Sequence, residues 1–214
     1  GLGGGTGSGA APVVANIGRE LGALVVGMVM LPFSFEGIRR RQTAVGALAQ
    51  MARATDALVA IPNDRLLFIT QRGQGMQEAF VVADAAMRRA ILGIVEIITI
   101  PGIINVDFAD VRAVLRDAGP SLMATGTAHG SDRAARAVDA ALTGGWLAAD
   151  VRGAGRALLN ITVSADVSLA EVAEVTARVA DALAHDAQSV FGAVIDPTLT
   201  DALQVTLIAG GIPS

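Results

Sequence analysis

Residues 3–9 read GGGTGSG, and this stretch runs directly into a helical pattern at Ala11–Leu21 and then into the apolar run Ala23–Leu31. Because glycine has no side chain, consecutive backbone N–H groups can crowd around an anion at the positive N-terminus of a helix. A loop, a helix and a buried strand in this order predict an α/β domain with a phosphate-binding loop. The alternative interpretation is a flexible glycine-rich terminus.

Two other kinds of phosphate loop do not fit these residues. A P-loop ends in Gly-Lys-Ser/Thr, and the chain contains no lysine. A dinucleotide fingerprint needs a strand before the glycines and a ribose-binding acid after them, and neither is found here. An oxidoreductase with a dinucleotide cofactor therefore has no support from the motifs.

The composition indicates a folded protein that does not bind nucleic acid. The 214 residues are 52% hydrophobic, which is enough for one large core or two modest ones. A net charge of -4 provides no basic surface for a polyanion. The chain has no cysteine, and His129 and His185 lie apart from any carboxylate cluster with metal-ligand spacing, so no metal site is predicted. With no export signal, we expect a cytoplasmic protein.

Strand and helix patterns alternate through the first half of the chain. This alternation predicts a parallel sheet with crossover helices. The longest apolar run is shorter than the roughly 20 residues of a membrane-spanning helix, so we expect no direct membrane insertion. After Leu31 the predicted elements are a helix at Ile38–Thr55, a strand at Ala57–Ile61, a short helix at Asn63–Thr70 and a long apolar helix at Gln77–Thr99.

The second half predicts an α+β domain with a mixed or antiparallel sheet. We place the domain boundary after the long central helix, giving a partial nucleotide-binding domain at residues 1–104 and a C-terminal domain at residues 105–214. The predicted helices are Phe108–Asp117, Ser131–Thr143 and the amphipathic Ser168–His185. The predicted strands are Ser121–Ala128, Ala157–Val163, Ser189–Ile195 and Gln204–Ala209.

Three further motifs follow the glycine-rich loop: PFSFEG at residues 32–37, IPND at residues 61–64 and NVDFADV at residues 105–111. With these motifs the chain resembles the bacterial FtsZ branch of the tubulin/FtsZ GTPase family over essentially its whole length. The resemblance implies a GTPase that polymerises head to tail into filaments for bacterial cell division, in the cytoplasm at the division site. It also implies GTP or GDP as ligand, with Mg²⁺ accompanying the nucleotide.

The resemblance assigns the nucleotide-binding residues by position. Phe80 and Asp84 are four residues apart in a helix and share one face, so the ring can stack on a purine while the carboxylate accepts from guanine N1–H and its amine. Taken alone, a Phe and an Asp at this spacing are usually a core residue and a neighbouring surface residue. Likewise, Glu36 and Arg40 alone would be interpreted as charged residues at the solvated start of a helix. The implied set is Gly4, Gly5, Thr6, Gly7, Glu36, Arg40, Asn63, Phe80 and Asp84.

The resemblance also identifies the loop that one subunit inserts into the nucleotide site of the next. Asp107 and Asp110 are the implied catalytic residues, which position water and cation at the terminal phosphate, and Asn105 orients them. The alternative is that Asn105 or Asp107 caps the helix that begins at Phe108. Both roles are compatible, since a cap also holds the loop in place.

The family's first strand and first glycine-rich loop are absent from this sequence, so we interpret the chain as N-terminally truncated and expect it to be inactive alone. Two functions remain open at this point. The first is GTP hydrolysis completed in trans within a head-to-tail filament, formed with further copies or with a full-length relative and attended by division-site proteins. The second is a non-hydrolysing module that docks on or caps such filaments.

Overall fold

The computed structural model describes residues 1–66, 76–143 and 151–212. The chain forms two compact units. Unit 1 comprises Gly1–Arg88 and Leu115–Ser121, and unit 2 comprises Arg89–Val114 and Leu122–Ser214. The domain boundary that we placed between residues 104 and 105 stays a prediction. The predicted helix Asn63–Thr70 lies partly outside the described residues.

Unit 1 is built on parallel strands, as the alternating pattern predicted. Strands β1 (Val26–Leu31) and β2 (Ala57–Pro62) pair in parallel along their whole length, and the first residues of β3 (Gly119–His129) pair in parallel with β2. The elements are α1 (Gly5–Glu20), β1 (Val26–Leu31), a 3₁₀ turn (Ser34–Glu36), α2 (Ile38–Ala54), β2 (Ala57–Pro62), α3 (Asn63–Leu66) and the beginning of α4 (Met76–Thr99). Both β1 and β2 therefore end on the same edge, where loops can form a binding site.

The core of unit 1 lies between these strands and the helices α1 and α2. Small residues allow the two helices to approach, and Ala44 and Ala47 on α2 are buried together with Ala15 on α1. Met51 and Val29 complete the apolar contact with the strands. This packing fixes the N-terminus of α1 beside the carboxyl end of β1.

Unit 2 contains a mixed sheet with β4 at its centre. Strand β6 pairs with β4 antiparallel, and β5 pairs with β4 in parallel. Consecutive strands β5 and β6 are therefore separated by β4, and β3 lies beside β6. The elements are the end of α4, α5 (Phe108–Leu115), β3 (Gly119–His129), α6 (Arg133–Thr143), β4 (Arg156–Val163), α7 (Leu169–Ala182), β5 (Gln188–Ile195) and β6 (Ala202–Gly210).

One face of this sheet packs against α6 and α7. Val172, Val175 and Val179, which recur at helical spacing along the amphipathic helix α7, are buried. Ser168 caps α7, since its Oγ accepts from the Glu171 N–H while the Glu171 carboxylate accepts from the Ser168 N–H. Cap and apolar stripe together explain why this helix forms where the sequence predicted it.

The long helix α4 is apolar on several faces. Ile97 is buried, whereas Val81, Ile91 and Val95 are exposed. Across the described ranges, no helix combines the length and the apolar character needed to cross a membrane.

Gly126 on β3 is expected to tolerate no side chain. A Cβ atom there would overlap the carbonyl oxygen of Ala137 and lie 2.5 Å from the backbone nitrogen of Ala141, both on α6. Overpacking of this kind costs about 2 to 3 kcal/mol, so we expect Gly126→Ala to lower the free energy of unfolding by that amount in urea denaturation. Gly46→Ala is the matched control, because a Cβ at this helical position would meet nothing within 4 Å. Equal stability of the two variants would contradict the prediction.

Candidate functional site

The glycine-rich loop is anchored to the sheet of unit 1. The Leu2 N–H donates to the Met30 carbonyl at 2.9 Å, and the Gly3 N–H donates to Ser8 Oγ at 2.9 Å. Gly3 has a φ of 100°, a left-handed conformation that favours glycine. No side chain of the described residues caps α1 at Gly4. The first N–H groups of α1 therefore keep their hydrogen-bonding capacity.

The predicted phosphate-binding residues form the start of α1 itself. Gly4 precedes the helix, and Gly5, Thr6 and Gly7 lie in its first turn, which contains no acidic residue. Gly7 packs against the backbone of Gly1 so closely that a Cβ atom would overlap the Gly1 carbonyl. Unpaired N–H groups at a helix N-terminus, with no carboxylate nearby in the turn, are the geometry that binds an anion.

Glu36 and Arg40 lie beside this loop. A Cβ at Gly3 would be 3.0 Å from the Arg40 carbonyl and 3.2 Å from Pro32 Cγ. One oxygen of Glu36 accepts from the Phe33 N–H at 2.8 Å, and the other pairs with the Arg40 guanidinium. The Glu36 side chain is 14% exposed and that of Arg40 is 60% exposed. Glu36 is therefore a largely buried residue of the turn, while Arg40 reaches the solvent.

Asn63 lies at the end of β2, on the same edge of unit 1. Its side chain is 7% exposed, and its Oδ1 has no hydrogen-bond partner among the described residues. The neighbouring Asp64 accepts a hydrogen bond from the Ser34 N–H at 2.9 Å. A buried acceptor without a partner is costly, so this oxygen can accept a hydrogen bond from a ligand or from water.

An aromatic cluster borders the turn that carries Glu36. Phe33 is buried and stacks on Phe35, with ring centroids 4.9 Å apart, and it meets Phe80 edge-on at 5.4 Å. Phe80 is 41% exposed, and Asp84 is exposed one helical turn later. The structure thus places the Phe80 ring next to the turn that carries Glu36, with part of the ring exposed.

The acidic loop of unit 2 is held on strand β5. The Ile103 and Ile104 N–H groups donate to the Ala193 carbonyl at 2.8 and 3.2 Å, and the Ala193 N–H donates back to the Ile104 carbonyl at 3.1 Å. Asn105 Oδ1 accepts from the Gly102 N–H at 2.8 Å. These bonds fix the backbone just before the two predicted catalytic carboxylates.

Asp107 caps α5. Its Oδ1 accepts from the Asp110 N–H at 2.8 Å, which is the helix-capping role weighed in the sequence analysis. Val106 is buried, whereas Asn105, Asp107 and Asp110 are exposed. The cap uses only Oδ1 of Asp107, so the second carboxylate oxygen can still accept a hydrogen bond from another group.

The predicted residues divide between the two units. All of the predicted nucleotide-binding residues lie in unit 1, and Asn105, Asp107 and Asp110 lie in unit 2. Within the described ranges, no group of three or more His, Cys, Asp and Glu side chains could hold a metal ion. Sequence reasoning missed the contribution of Asp64, although it is the last residue of the IPND motif.

Two protein-family models match the chain. Residues 1–71 match the GTPase domain of the tubulin/FtsZ family, and residues 119–213 match the C-terminal domain of the FtsZ family. An empty FtsZ dimer from M. jannaschii is 42% identical, with a TM-score of 0.94 over 98% of this chain and 61% of that chain.

Two CetZ structures from Haloferax volcanii share the fold. CetZ1, a GDP-bound monomer, is 21% identical with a TM-score of 0.79, over 100% of this chain and 63% of that chain. CetZ2, a GTPgS-bound protofilament, is 24% identical with a TM-score of 0.74, over 99% of this chain and 63% of that chain. This chain thus spans less than two thirds of the length of the structures that it matches.

Proposed function

This chain belongs to the tubulin/FtsZ family, and on that premise we propose that it serves in a GTP-binding, GTP-hydrolysing protein that polymerises head to tail into filaments. The observation that carries the proposal is the arrangement at one edge of unit 1. There the N-terminus of α1, uncapped by any described side chain, lies beside the end of β1. The Glu36–Arg40 pair follows β1, and the Asn63 oxygen, without a partner among the described residues, follows β2.

The phosphates of the nucleotide are proposed to lie at the start of α1. Backbone N–H groups of Gly4, Gly5 and Gly7, with the Thr6 hydroxyl, provide donors where the helix dipole is positive. Arg40 is proposed to provide a cation from the first turn of α2, whose backbone lies against Gly3. The small size of the glycines lets a phosphate approach the backbone closely.

The nucleoside is proposed to bind between the turn and α4. Glu36 accepts from a ribose hydroxyl with lone pairs that its two hydrogen bonds leave free. The exposed part of the Phe80 ring stacks on the base, Asp84 accepts from guanine N1–H and its amine, and the amide of Asn63 completes the polar contacts. The GDP and GTPgS named for the two CetZ structures support a guanine nucleotide.

Hydrolysis is proposed to be completed between two copies. The loop of one copy presents Asp107 and Asp110 to the terminal phosphate bound by the next, where carboxylates orient the attacking water, and Asn105 holds the loop. Mg²⁺ is proposed to accompany the nucleotide, with phosphate oxygens and water as its main ligands, since the described residues offer no cluster that would hold it by themselves. The dimer and protofilament of the relatives support such assembly.

The cellular part of the proposal is a role in bacterial cell division, in the cytoplasm at the division site and with division-site proteins as partners. It rests on the motifs in the sequence. The direct test of the molecular part is to express the complete reading frame that encodes this chain and to measure GTP binding and GTP-dependent sedimentation. A protein that binds no guanine nucleotide would contradict the proposal.

Base selectivity is expected to depend on Asp84. We expect Asp84→Ala to reduce the preference for GTP over ATP in competition binding by tenfold or more, because hydrogen bonds to a charged acceptor contribute about 1.5 to 3 kcal/mol. Arg88→Ala is the matched control, since it removes an exposed charge one turn further along the same helix. Unchanged selectivity in the Asp84 variant would remove this carboxylate from the base site.

A further inference from the structure

The carboxylate of Asp64 joins two segments that end neighbouring strands. Asp64 follows β2, and the Ser34 N–H that it accepts at 2.9 Å belongs to the turn after β1. The two residues are 30 positions apart in the chain, so this hydrogen bond fixes the distance between the two loops. Asp64 is part-buried and Ser34 is exposed, which leaves the bond at the rim of the candidate site.

Two carboxylates hold two consecutive N–H groups at the start of the 3₁₀ turn. The Phe33 N–H donates to Glu36 within the turn, and the Ser34 N–H donates to Asp64 from outside it. The first N–H groups of a helical turn have no partner within the turn, so side chains must supply the acceptors. Without Asp64 the turn keeps its internal hydrogen bond and loses the hydrogen bond from Ser34 to the segment that follows β2.

The position of this turn determines where the side chains proposed to bind the nucleoside lie. The turn carries Glu36, and its Phe33 ring packs edge-on against Phe80 at 5.4 Å. The residue before Asp64 is Asn63, whose Oδ1 is buried without a partner in the described part of the chain. A shift of the turn relative to β2 would therefore move Glu36 relative to the Asn63 amide and disturb the Phe33 contact with Phe80.

We infer that Asp64 is a positioning residue for the nucleoside, which sets the spacing between the Asn63 amide and the Glu36 carboxylate without touching the ligand. This inference rests on the proposed function, because it assumes that these groups bind one nucleotide. The acid of the IPND motif thereby has a role separate from the proposed contacts with the nucleotide.

The hydrogen bond can be removed from either side. Asp64→Ala deletes the acceptor, and Ser34→Pro deletes the donor, because proline has no N–H. Proline fits at Ser34, which is the first residue of the turn, and Phe33 before it has φ -60° and ψ 149°, the extended conformation that precedes proline. Asp64→Asn and Ser34→Ala are the matched controls, since the first keeps an acceptor oxygen and the second keeps the N–H.

The protein expressed from the complete reading frame is assayed for GTP binding, kcat, KM and urea unfolding. We expect each deletion to raise the Kd and KM for GTP about tenfold, with kcat at saturating GTP unchanged. The double variant should be no weaker than either single variant, because both remove the same bond. Asp64→Asn should restore most of the affinity, and Ser34→Ala should bind as the unsubstituted protein does.

Several outcomes would overturn the inference while leaving the proposed function intact. These are wild-type GTP affinity in Asp64→Ala, additive losses in the double variant, or a failure of Asp64→Asn to restore binding. A loss of affinity matched by an equal loss of unfolding free energy would reduce Asp64 to a purely structural role. If the unsubstituted protein bound no GTP, the proposed function would fail and this inference with it.

Discussion

Replacing Arg133 with methionine is expected to lower the free energy of unfolding by about 3 kcal/mol. Arg133 is 4% exposed, and its Nε lies 2.6 Å from Glu171 Oε1. Its Nη1 lies 3.0 Å from Asp166 and 3.1 Å from Asp201. Removing one partner of a buried ion pair costs about 3 to 5 kcal/mol, and the lower end applies because water reaches Asp166 and Asp201. Urea unfolding at neutral pH measures the effect.

Arg178→Met is the matched control for this prediction. It makes the same substitution in the same unit, but Arg178 is 44% exposed and pairs across one helical turn with Glu174, which is 42% exposed. Exposed pairs of this kind contribute about 0.3 to 0.5 kcal/mol. Similar losses in the two variants would mean that the network around Arg133 contributes no more than an ordinary surface pair.

Lowering the pH should weaken the ion pairs around Arg133. The hydrogen bond from Arg133, aided by hydrogen bonds from Ser168, lowers the pKa of Glu171 from 4.5 to about 2 despite its partial burial. Because the folded pKa lies below the ordinary value, this carboxylate contributes stability above pH 4.5 and loses that contribution as the pH falls toward 2. Arg133→Met removes the main cause of this lowered pKa. The difference in unfolding free energy between the variant and the unsubstituted protein should therefore narrow as the pH falls from 4.5 toward 2.

The elements of regular structure were largely predictable, because apolar spacing alone distinguishes helix from strand. Helix α1 is the exception, since it begins at Gly5 and the pattern placed its start at Ala11. Glycine has poor helix propensity, so residues 3–9 read as a loop. The first turn of α1 is held instead by contacts that hydrophobic spacing does not show. Among them are the Leu2–Met30 hydrogen bond and the packing of Gly7 on Gly1.

Strand neighbours were not predictable from the same patterns. Alternation identified β4, β5 and β6 as strands, and the placement of β4 between the other two depends on pairing across distant parts of the chain. The Arg133 network was missed for the same reason. Its Glu171 and Asp201 partners lie 38 and 68 residues away, and nothing in the sequence around Arg133 marks it as buried.

The candidate site was predicted by resemblance more than by physics. Two separated motifs contain Glu36 and Asn63, and the resemblance added Phe80. Taken alone, Glu36 and Phe80 each had a more ordinary interpretation. The structure adds burial and partners that the motifs do not encode, such as the Asn63 oxygen without a partner among the described residues. It also shows that Asp107 caps α5, so the ordinary interpretation of that residue holds beside the proposed catalytic one.

The proposed hydrolysis in trans is expected to fall by a hundredfold or more in Asp107→Asn and in Asp110→Asn. Positioned acid–base groups contribute about 10² to 10⁴ in rate, and an amide of the same shape neither carries the charge nor accepts a proton from water. Asparagine is chosen over alanine because it caps helices as well as aspartate does, so the Asp107 cap on the Asp110 N–H is kept. Phosphate release and sedimentation are measured on the protein from the complete reading frame.

These variants separate catalysis from assembly. Contact area rather than one carboxylate dominates the affinity between copies, so both variants should still sediment with GTP while releasing phosphate slowly. Asp139→Asn, an exposed change on α6, is the control and should hydrolyse normally. Mixing either variant with unsubstituted protein should lower phosphate release in proportion to the fraction of junctions whose loop is altered, because each loop acts on the nucleotide of the neighbouring copy. Normal hydrolysis by both variants would mean that Asp107 only caps α5 and that the catalytic group lies elsewhere in the chain.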